Sequence, residues 1–210
     1  MKTIIINASP RKNWNTAQLL KEAQKGAESV GSKTEYIDLY DMSFTGCRSC
    51  LACKLKNGKH SGCAWKDDLP PLIERILEAD ALIIGTPIYW GEPTAQFRAL
   101  MERLVFCTLP YEAGTYFQGK VDVGFIYTMN AGEGYYEQNL RPYLTNVENL
   151  FRMGLHGEVK SYASCDTLQV KDYSRYDMAY FSEEDKRRHR EDQFPTDQAE
   201  CFKLGAEMGR

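Results

Sequence analysis

Residues 3–16 read TIIINASPRKNWNT, and this stretch decides the fold class. Its first six residues form a short β-branched run that ends in a polar loop, which is typical of a buried strand. From Thr16 onward, small and apolar residues recur at helical spacing, and Gly31 is placed to end the helix. The chain therefore opens with a strand, a polar loop and a helix, the repeating unit of a parallel α/β protein.

The same alternation continues along the chain. Apolar or alternating runs predict further strands at residues 34–39, 81–86, 121–128 and 157–163. One helix is expected to begin at Asp67 or Asp68, with Pro70 and Pro71 in its first turn. Further helices are expected over residues 93–106 and 135–153. A charged helix over 183–192 is expected to be broken by Pro195, and a last helix should run from Thr196 to about Gly209. Five strands that alternate with helices predict an α/β three-layer sandwich with a five-stranded parallel sheet in the order 2-1-3-4-5.

Composition and charge narrow the class of partner. The 210 residues carry 26 Lys and Arg against 29 Asp and Glu, a net charge of −3, so no basic excess predicts binding to nucleic acid. The apolar run at residues 4–6 is too short for a signal sequence or a membrane span, and we therefore expect a cytoplasmic protein without a membrane partner. We expect a single domain over residues 1–210, in which residues 165–210 form an irregular segment and a C-terminal helix.

The loop after the first strand has the residue types of a phosphate site. It offers Ser9, Arg11, Asn13, Asn15 and Thr16 directly before a helix N-terminus. Hydroxyls, amides and free helix N–H groups together bind phosphate, and ligands of such sheets bind where the strand order reverses. The loop lacks both a Gly-x-Gly-x-x-Gly motif and a P-loop ending, which favours a phosphate monoester such as that of FMN over a pyrophosphate. The alternative is a polar turn with an ordinary cap at Asn15 or Thr16.

Three motifs resemble one known family. Residues 9–16, SPRKNWNT, resemble the Ser-Pro-Arg-x-x-x-Asn-Thr signature of the NAD(P)H-dependent FMN reductase family. Residues 87–91, PIYWG, resemble the isoalloxazine loop of that family, and residues 46–68 resemble the cysteine segment of its iron–sulfur flavoprotein branch. The resemblance spans about residues 1–160. It implies a flavodoxin-like fold, bound FMN, and a homodimer or higher homo-oligomer in which a second subunit completes the site.

The loop after the third strand is expected to hold the flavin ring. Its members are Pro87, Ile88, Tyr89, Trp90 and Gly91. Backbone N–H groups there can reach the pyrimidine edge of the ring, while Tyr89 or Trp90 covers its face. The alternative is that both aromatic residues belong to the core or to a dimer interface.

The loop after the fourth strand is expected to complete the ring site. We name Thr128, Asn130, Gly132 and Gly134 as cofactor-binding residues, because the glycines allow a close backbone approach and the family resemblance places this loop beside the ring. A flexible turn is the alternative for each of these side chains.

Four of the seven cysteines form a second motif. Cys47, Cys50, Cys53 and Cys63 follow the pattern C-x2-C-x2-C-x9-C, which is able to hold a [4Fe–4S] cluster, although the last gap is longer than is usual in the iron–sulfur branch. The interposed stretch 54–62 could loop out and still return Cys63. Three other fates stay open: no metal, zinc bound by four thiolates, and free buried thiols. The remaining cysteines, Cys107, Cys165 and Cys201, are interpreted as packing residues.

These observations predict an FMN-dependent oxidoreductase. Electrons would pass from a reduced donor, NAD(P)H, through FMN to a small-molecule acceptor such as a quinone or a free flavin. The chemistry is flavin-borne, so the catalytic residues are unknown, and Tyr89 and Trp90 are the best guess for the reactive face. Two alternatives remain: an iron–sulfur flavoprotein electron carrier that accepts electrons from ferredoxin, and a flavin-free interaction module with the same fold.

Overall fold

A parallel sheet lies at the centre of the computed structural model, which describes residues 1–58 and 60–210. Its strands are β1 (Lys2–Asn7), β2 (Lys33–Asp38), β3 (Ala81–Tyr89), β5 (Val121–Thr128) and β6 (His156–Ser164), and a two-residue strand β4 (Glu92–Pro93) pairs antiparallel with the end of β3. The order is β2-β1-β3-β5-β6. For the five parallel strands this is the predicted order 2-1-3-4-5, and the fold is flavodoxin-like.

Helices cover both faces of the sheet. They are α1 (Asn15–Ser29), α2 (Leu69–Leu77), α3 (Ala95–Thr108), α4 (Glu133–Tyr135), which continues through a π-helical turn (Tyr136–Leu140) into α5 (Arg141–Leu155), then α6 (Glu183–Asp192) and α7 (Phe194–Met208). One buried cluster joins the sheet to α2, α3 and α5, and a second joins it to α1 and α7. Ile4 and Ile6 face the first cluster and Ile5 the second, because successive side chains of a strand point to opposite faces. This explains why β1 is apolar without interruption.

The structure corrects several predicted boundaries. Residues 87–89, predicted as loop, extend β3, and the helix predicted over 93–106 begins at Ala95 after its cap, Thr94. Pro195 does not separate the last two helices in the way predicted: it lies in the first turn of α7, which begins at Phe194 rather than after Thr196. Proline suits a first turn because the N–H that it lacks has no helical partner there.

Helices α1 and α7 touch through glycines. A Cβ atom at Gly26 of α1 would lie 1.9 Å from the carbonyl oxygen of Phe202, and one at Gly205 of α7 would lie 1.9 Å from that of Ala23. Only residues without a Cβ atom permit this backbone approach. The contact fixes α7 against the helix whose N-terminus follows the predicted phosphate loop.

No helix among the described residues has both the length and the apolar character needed to cross a membrane.

Candidate functional site

A cleft opens at the carboxyl ends of β1, β3 and β5, where ligands bind in doubly wound sheets. It encloses about 510 Å³, including space open to solvent. Nine of the predicted cofactor-binding residues line it: Ser9, Arg11, Asn15, Thr16, Pro87, Ile88, Tyr89, Thr128 and Asn130. Three loops that are far apart in sequence therefore meet around one cavity.

The other five predicted residues lie outside the lining of this cleft. Asn13 lines an adjoining cleft, and Gly132 lines a third one near Cys165. Trp90 is fully exposed, and both Trp90 and Gly91 have a positive φ in the turn between β3 and β4. Gly134 has open space around it.

Sequence reasoning missed four residues of the cleft. Trp14 and Met129 lie within the predicted loops but were not selected, whereas Thr167 and Gln169 come from the segment after β6. The local sequence carries no signal for the last two, because the return of the chain from β6 to the first loop brings them to the site. Trp14 could have been found as the one large aromatic side chain in an otherwise polar loop.

The phosphate loop is organised by short-range hydrogen bonds. The Ser9 N–H donates to Asn7 Oδ1 (3.1 Å), and the Ser9 hydroxyl accepts from the Arg11 N–H (3.1 Å), which leaves the hydroxyl proton of Ser9 available. The N-cap of α1 is Trp14, and no side chain caps this helix. The first-turn N–H groups of α1 are thus free of a side-chain partner, as an anion site at a helix N-terminus requires.

Neither Asn15 nor Thr16 caps α1, so the alternative of an ordinary cap at either residue is wrong. Both side chains form hydrogen bonds to other parts of the chain. The Asn15 amide donates to the Leu168 carbonyl (2.9 Å), and its oxygen accepts from Arg190 (2.7 Å). The Thr16 and Thr128 hydroxyls hydrogen-bond to each other (2.7 Å), which joins the start of α1 to the end of β5. These buried contacts hold the loops of the cleft at fixed positions.

Asn130 contributes an unsatisfied acceptor. Its side-chain oxygen is buried and has no hydrogen-bond partner among the described residues, while its backbone carbonyl accepts from Lys186 Nζ (3.0 Å). A buried acceptor without a partner is costly, and such groups in native proteins call for an explanation. A ligand that donates a hydrogen bond in the cleft supplies one.

One aromatic residue of the loop after β3 lines the cleft. Tyr89 is 46% exposed, and partial burial of its hydroxyl raises the pKa of that group. Trp90 follows it in the turn and is fully exposed, so the alternative that it belongs to the core is wrong. Hydroxyls, an uncapped helix N-terminus, an unsatisfied amide oxygen and an exposed aromatic pair together fit a ligand with a phosphate at one end and a hydrogen-bonding ring at the other, which is the chemistry of FMN.

The segment after β6 is hydrogen-bonded onto the phosphate loop. The Leu168 carbonyl accepts from Trp14 Nε1 (3.1 Å) as well as from Asn15, and the Gln169 carbonyl accepts from the guanidinium of Arg11. Leu168, together with Val170 and Tyr173, also forms a small buried cluster against which Trp14 packs. One wall of the cleft therefore comes from the irregular segment.

The four cysteines of the second motif surround one cavity. Cys47, Cys50, Cys53 and Cys63 all line one space beside Arg103, which measures about 360 Å³ including space open to solvent. Lys59, in the stretch between Cys53 and Cys63, lies outside the described residues. Across residues 1–58 and 60–210, no group of three or more His, Cys, Asp or Glu side chains is arranged to hold a metal ion. The ligand role of the four cysteines stays a prediction.

The other three cysteines do not line this cavity. Burial raises the pKa of the Cys107 and Cys165 thiols to about 12, and it raises the pKa of Cys201 as well. Such thiols are protonated at neutral pH and are poor nucleophiles. Their environment suits the predicted packing role.

Comparisons with known proteins agree with the fold. An iron–sulfur flavoprotein of Methanocaldococcus jannaschii is 36% identical over 124 residues, which cover 59% of this chain and 62% of that protein. One of Archaeoglobus fulgidus is 39% identical over 103 residues, covering 49% and 48%. The chain thus spans less than two thirds of the length of these relatives.

The solved structures and a family model complete the comparison. An NAD(P)H:quinone oxidoreductase from Methanothermobacter marburgensis superposes with a TM-score of 0.68 at 17% identity, covering all of this chain and 98% of the other, so the two share a fold. The model described as NADPH-dependent FMN reductase matches residues 1–157. This chain therefore belongs to the NADPH-dependent FMN reductase family.

Proposed function

We propose that this protein is an FMN-dependent oxidoreductase that takes electrons from NAD(P)H and passes them to a small-molecule acceptor such as a quinone or a free flavin. The observation that carries the proposal is the cleft, because it joins an uncapped helix N-terminus to an unsatisfied amide oxygen and the half-exposed Tyr89. Family membership supports the cofactor and its class of donor. The cytoplasmic location of the protein remains a prediction.

Different groups of the cleft would bind the phosphate and the ring of the cofactor. The first-turn N–H groups of α1 and the Ser9 hydroxyl would bind the phosphate, with Arg11 adding positive charge. The Asn130 oxygen would accept a hydrogen bond from the ring, and Tyr89 would cover one face of it. When bound, FMN would supply the transfer of hydride or electrons, so the protein needs no acid or base side chain of its own.

Anaerobic purification followed by a visible spectrum tests the proposal first. We expect flavin bands, their bleaching by NADPH or NADH, and their return when a quinone is added. The Ser9→Ala variant should hold FMN about tenfold more weakly, as the loss of one charge-assisted hydrogen bond of about 1.5 kcal/mol implies. Ser29→Ala, at the far end of α1 where the side chain is exposed, is the matched control and should bind FMN normally. A protein that stays colourless after incubation with FMN would contradict the proposal and favour the flavin-free interaction module.

The cysteine cavity favours a second candidate, an iron–sulfur flavoprotein that receives electrons from ferredoxin. Cys47, Cys50, Cys53 and Cys63 line one space, and a cubane cluster takes one thiolate at each of its irons. The relatives named iron–sulfur flavoproteins support this candidate. In it, the four thiolates would hold the cluster.

Iron and acid-labile sulfide, measured per chain in the anaerobic protein, separate the two candidates. About four irons in the wild type and a loss of iron in Cys63→Ser would support the cluster. Cys165→Ser, which changes a thiol outside the cavity, should keep the iron. Flavin without iron would leave the NAD(P)H-dependent reductase as the function.

A further inference from the structure

Helix α6 packs against the rest of the protein without an apolar stripe. Its sequence is EEDKRRHRED, in which every residue except His189 carries a formal charge. Lys186 is nevertheless buried, and His189 and Arg190 are half-buried. These three residues share one face of the helix, because they are three and four positions apart. A helix that is polar on all sides has no apolar face with which to pack, so polar contacts must hold α6 in place.

Two of these contacts reach residues that line the cleft at the carboxyl ends of β1, β3 and β5. Lys186 Nζ donates to the backbone carbonyl of Asn130 (3.0 Å), and Arg190 donates to Asn15 Oδ1 (2.7 Å). Asn130 belongs to the loop after β5, whereas Asn15 begins α1 directly after the phosphate loop. The two cations of α6 thus support two different parts of the same cleft, and neither of them lines it.

Arg190 is attached to the first turn of α1. One guanidinium nitrogen donates to Asn15 Oδ1, and the other donates to Gln18 Oε1 (2.5 Å). The guanidinium also stacks on Phe194, 3.4 Å from the centre of the ring. Two hydrogen bonds and a ring contact therefore fix this cation at the N-terminus of α1.

A cation at this position is unfavourable unless an anion binds nearby. The N-terminus of a helix is itself positive, and the first turn of α1 contains no acidic residue. Within residues 1–58 and 60–210, Arg190 has no carboxylate at ion-pair distance. Asp197 attracts it from further away, but the Tyr162 hydroxyl (2.8 Å) and the Ser164 hydroxyl already donate to that carboxylate. The positive charge of Arg190 and that of the helix N-terminus thus add at the place where a phosphate is expected.

Lys186 has a different environment. Its side chain is almost fully buried and forms an ion pair with Asp166, so its charge is already neutralised. What it adds to the cleft is a fixed position for Asn130, whose side-chain oxygen is buried and has no partner among the described residues. Lys186 therefore acts at the part of the cleft that would accept a hydrogen bond from the ring, and it acts through geometry rather than through charge.

We propose that α6 is a positioning element of the cofactor site, in which Arg190 serves the phosphate and Lys186 serves the ring. Arg190 holds the first turn of α1 in place and adds the charge that favours a phosphorylated flavin over an unphosphorylated one. Lys186 holds Asn130 and does not contribute to that selection. The inference rests on the proposed function for the identity of the cofactor, and it extends the site beyond the part of the chain that the family model matches.

Fluorescence titration of the full-length, flavin-depleted protein with FMN and with riboflavin tests the proposal. Riboflavin carries the same ring and lacks the phosphate. Arg190→Met should weaken binding of FMN about tenfold but binding of riboflavin by less than about twofold, since it removes only charge and hydrogen bonds at the phosphate. Lys186→Met should weaken binding of both ligands by the same factor. A purely structural role of Arg190 would instead lower both affinities alike.

Arg188→Met is the matched control on the same helix. Arg188 pairs with Asp185 on the exposed face of α6, so the affinity for either flavin should change by less than about twofold. Lys186→Met leaves the carboxylate of Asp166 without its partner and could unfold the protein. The variant Lys186→Met/Asp166→Asn removes both charges and should show the same equal loss for the two ligands.

A double-mutant cycle tests whether Lys186 acts through Asn130. In an Asn130→Ala background, Lys186→Met should cause no further loss of FMN affinity, because the side chain that it positions is gone. Additive losses would overturn the role assigned to Lys186. For Arg190, Arg190→Lys is the second variant: it keeps the charge but not the two-nitrogen contact, and it should recover part of the preference for FMN over riboflavin.

The results separate this inference from the proposed function. If the wild type binds FMN but Arg190→Met changes the affinities for FMN and riboflavin by the same factor, the inference is wrong and the proposed function stands. If Arg190→Met weakens FMN alone but NAD(P)H does not reduce the bound flavin, the positioning role is upheld and the proposed donor is wrong.

Discussion

Arg103 shows how one residue organises the cysteine segment. Its side chain lies on α3, is almost fully buried, and donates from Nε to the Cys63 sulfur at 3.3 Å. Its other nitrogens donate to the carbonyls of Thr45 (3.2 Å) and Trp65 (3.4 Å) and to the carboxylate of Asp67 (2.5 Å). A single guanidinium thus ties both ends of the segment to the helix behind it.

Replacement of Arg103 should be strongly destabilising. Arg103→Met keeps the approximate length of the side chain but leaves the largely buried Asp67 without its partner, and removal of one member of a buried pair costs about 3–5 kcal/mol. The matched change on the same helix is Arg98→Met, which breaks an exposed pair with Glu102 and should cost less than about 1 kcal/mol. Urea unfolding of the two variants measures the contrast, and similar losses would contradict it.

The same contact predicts a pH dependence. Burial tends to raise the pKa of Asp67, but hydrogen bonds from Arg103 and from the Leu69 N–H outweigh it, and the pKa lies below its ordinary value. A carboxyl whose pKa is lowered by folding stabilises the protein at pH values above its unfolded pKa, which is about 3.9. This stabilisation is lost as the pH falls through the pKa of the folded state. The difference in unfolding free energy between wild type and Asp67→Asn should therefore shrink below about pH 4. A difference that stays constant between neutral pH and pH 3 would count against this account.

The site residues that lie at the end of a strand or directly after it were predictable from the sequence. Ser9 and Asn130 each follow a recognisable strand and Tyr89 ends one, so the topology alone brings them together. Thr167 and Gln169 were not predictable, since a segment without periodicity carries them and long-range hydrogen bonds to Trp14 and its neighbours place it. The hydrogen bonds of Asn15 and Thr16 were not predictable, because their partners, Leu168 and Thr128, lie more than a hundred residues away.

At the scale of elements, long apolar strands were the most predictable features and helix starts the least. The three consecutive isoleucines of β1 fit a strand that is buried on both faces of the sheet. Helix starts depend on capping, and Thr94 caps α3 with a hydrogen bond to the Phe97 N–H (3.3 Å), whereas α7 begins without a side-chain cap. The π-helical turn before α5 has no sequence signal that we recognise.

The contact between α1 and α7 leads to a prediction for Gly205. Alanine normally stabilises the interior of a helix by about 1 kcal/mol relative to glycine. At Gly205 the new Cβ atom would lie 1.9 Å from a backbone oxygen of α1, so Gly205→Ala should lower the stability by about 1–3 kcal/mol and reduce the melting temperature. Gly134→Ala is the control, because no atom lies within 4 Å of its Cβ position. If both variants melt alike, the two helices do not touch in the way described.

At the scale of the whole molecule, exposed aromatic side chains predict self-association. Trp90 is fully exposed and directly follows the 46% exposed Tyr89, which lines the cleft. Large apolar groups exposed beside a site often mark an interface. We therefore expect a homodimer in which a second copy covers Trp90.

Sedimentation velocity measures this association. The wild type should sediment with twice the mass of one chain, and Trp90→Ser should shift the equilibrium towards the monomer at micromolar concentration. Tyr111→Ser, which changes another exposed aromatic side chain away from the cleft, should leave the dimer intact. A wild-type protein that is monomeric at every concentration measured would contradict the predicted dimer.

The packing of α7 also bears on how the chain divides into parts. The family match ends at residue 157, inside β6, yet Phe194, Cys201, Leu204 and Met208 of α7 all belong to the buried cluster on the α1 face of the sheet. A recombinant fragment that stopped at residue 157 would expose this face and leave β5 as an unpaired edge strand, a template for aggregation. The least recognisable quarter of the sequence is thus not an optional extension, and shuffling or truncation that treats it as one would yield inclusion bodies rather than a smaller flavin-binding unit.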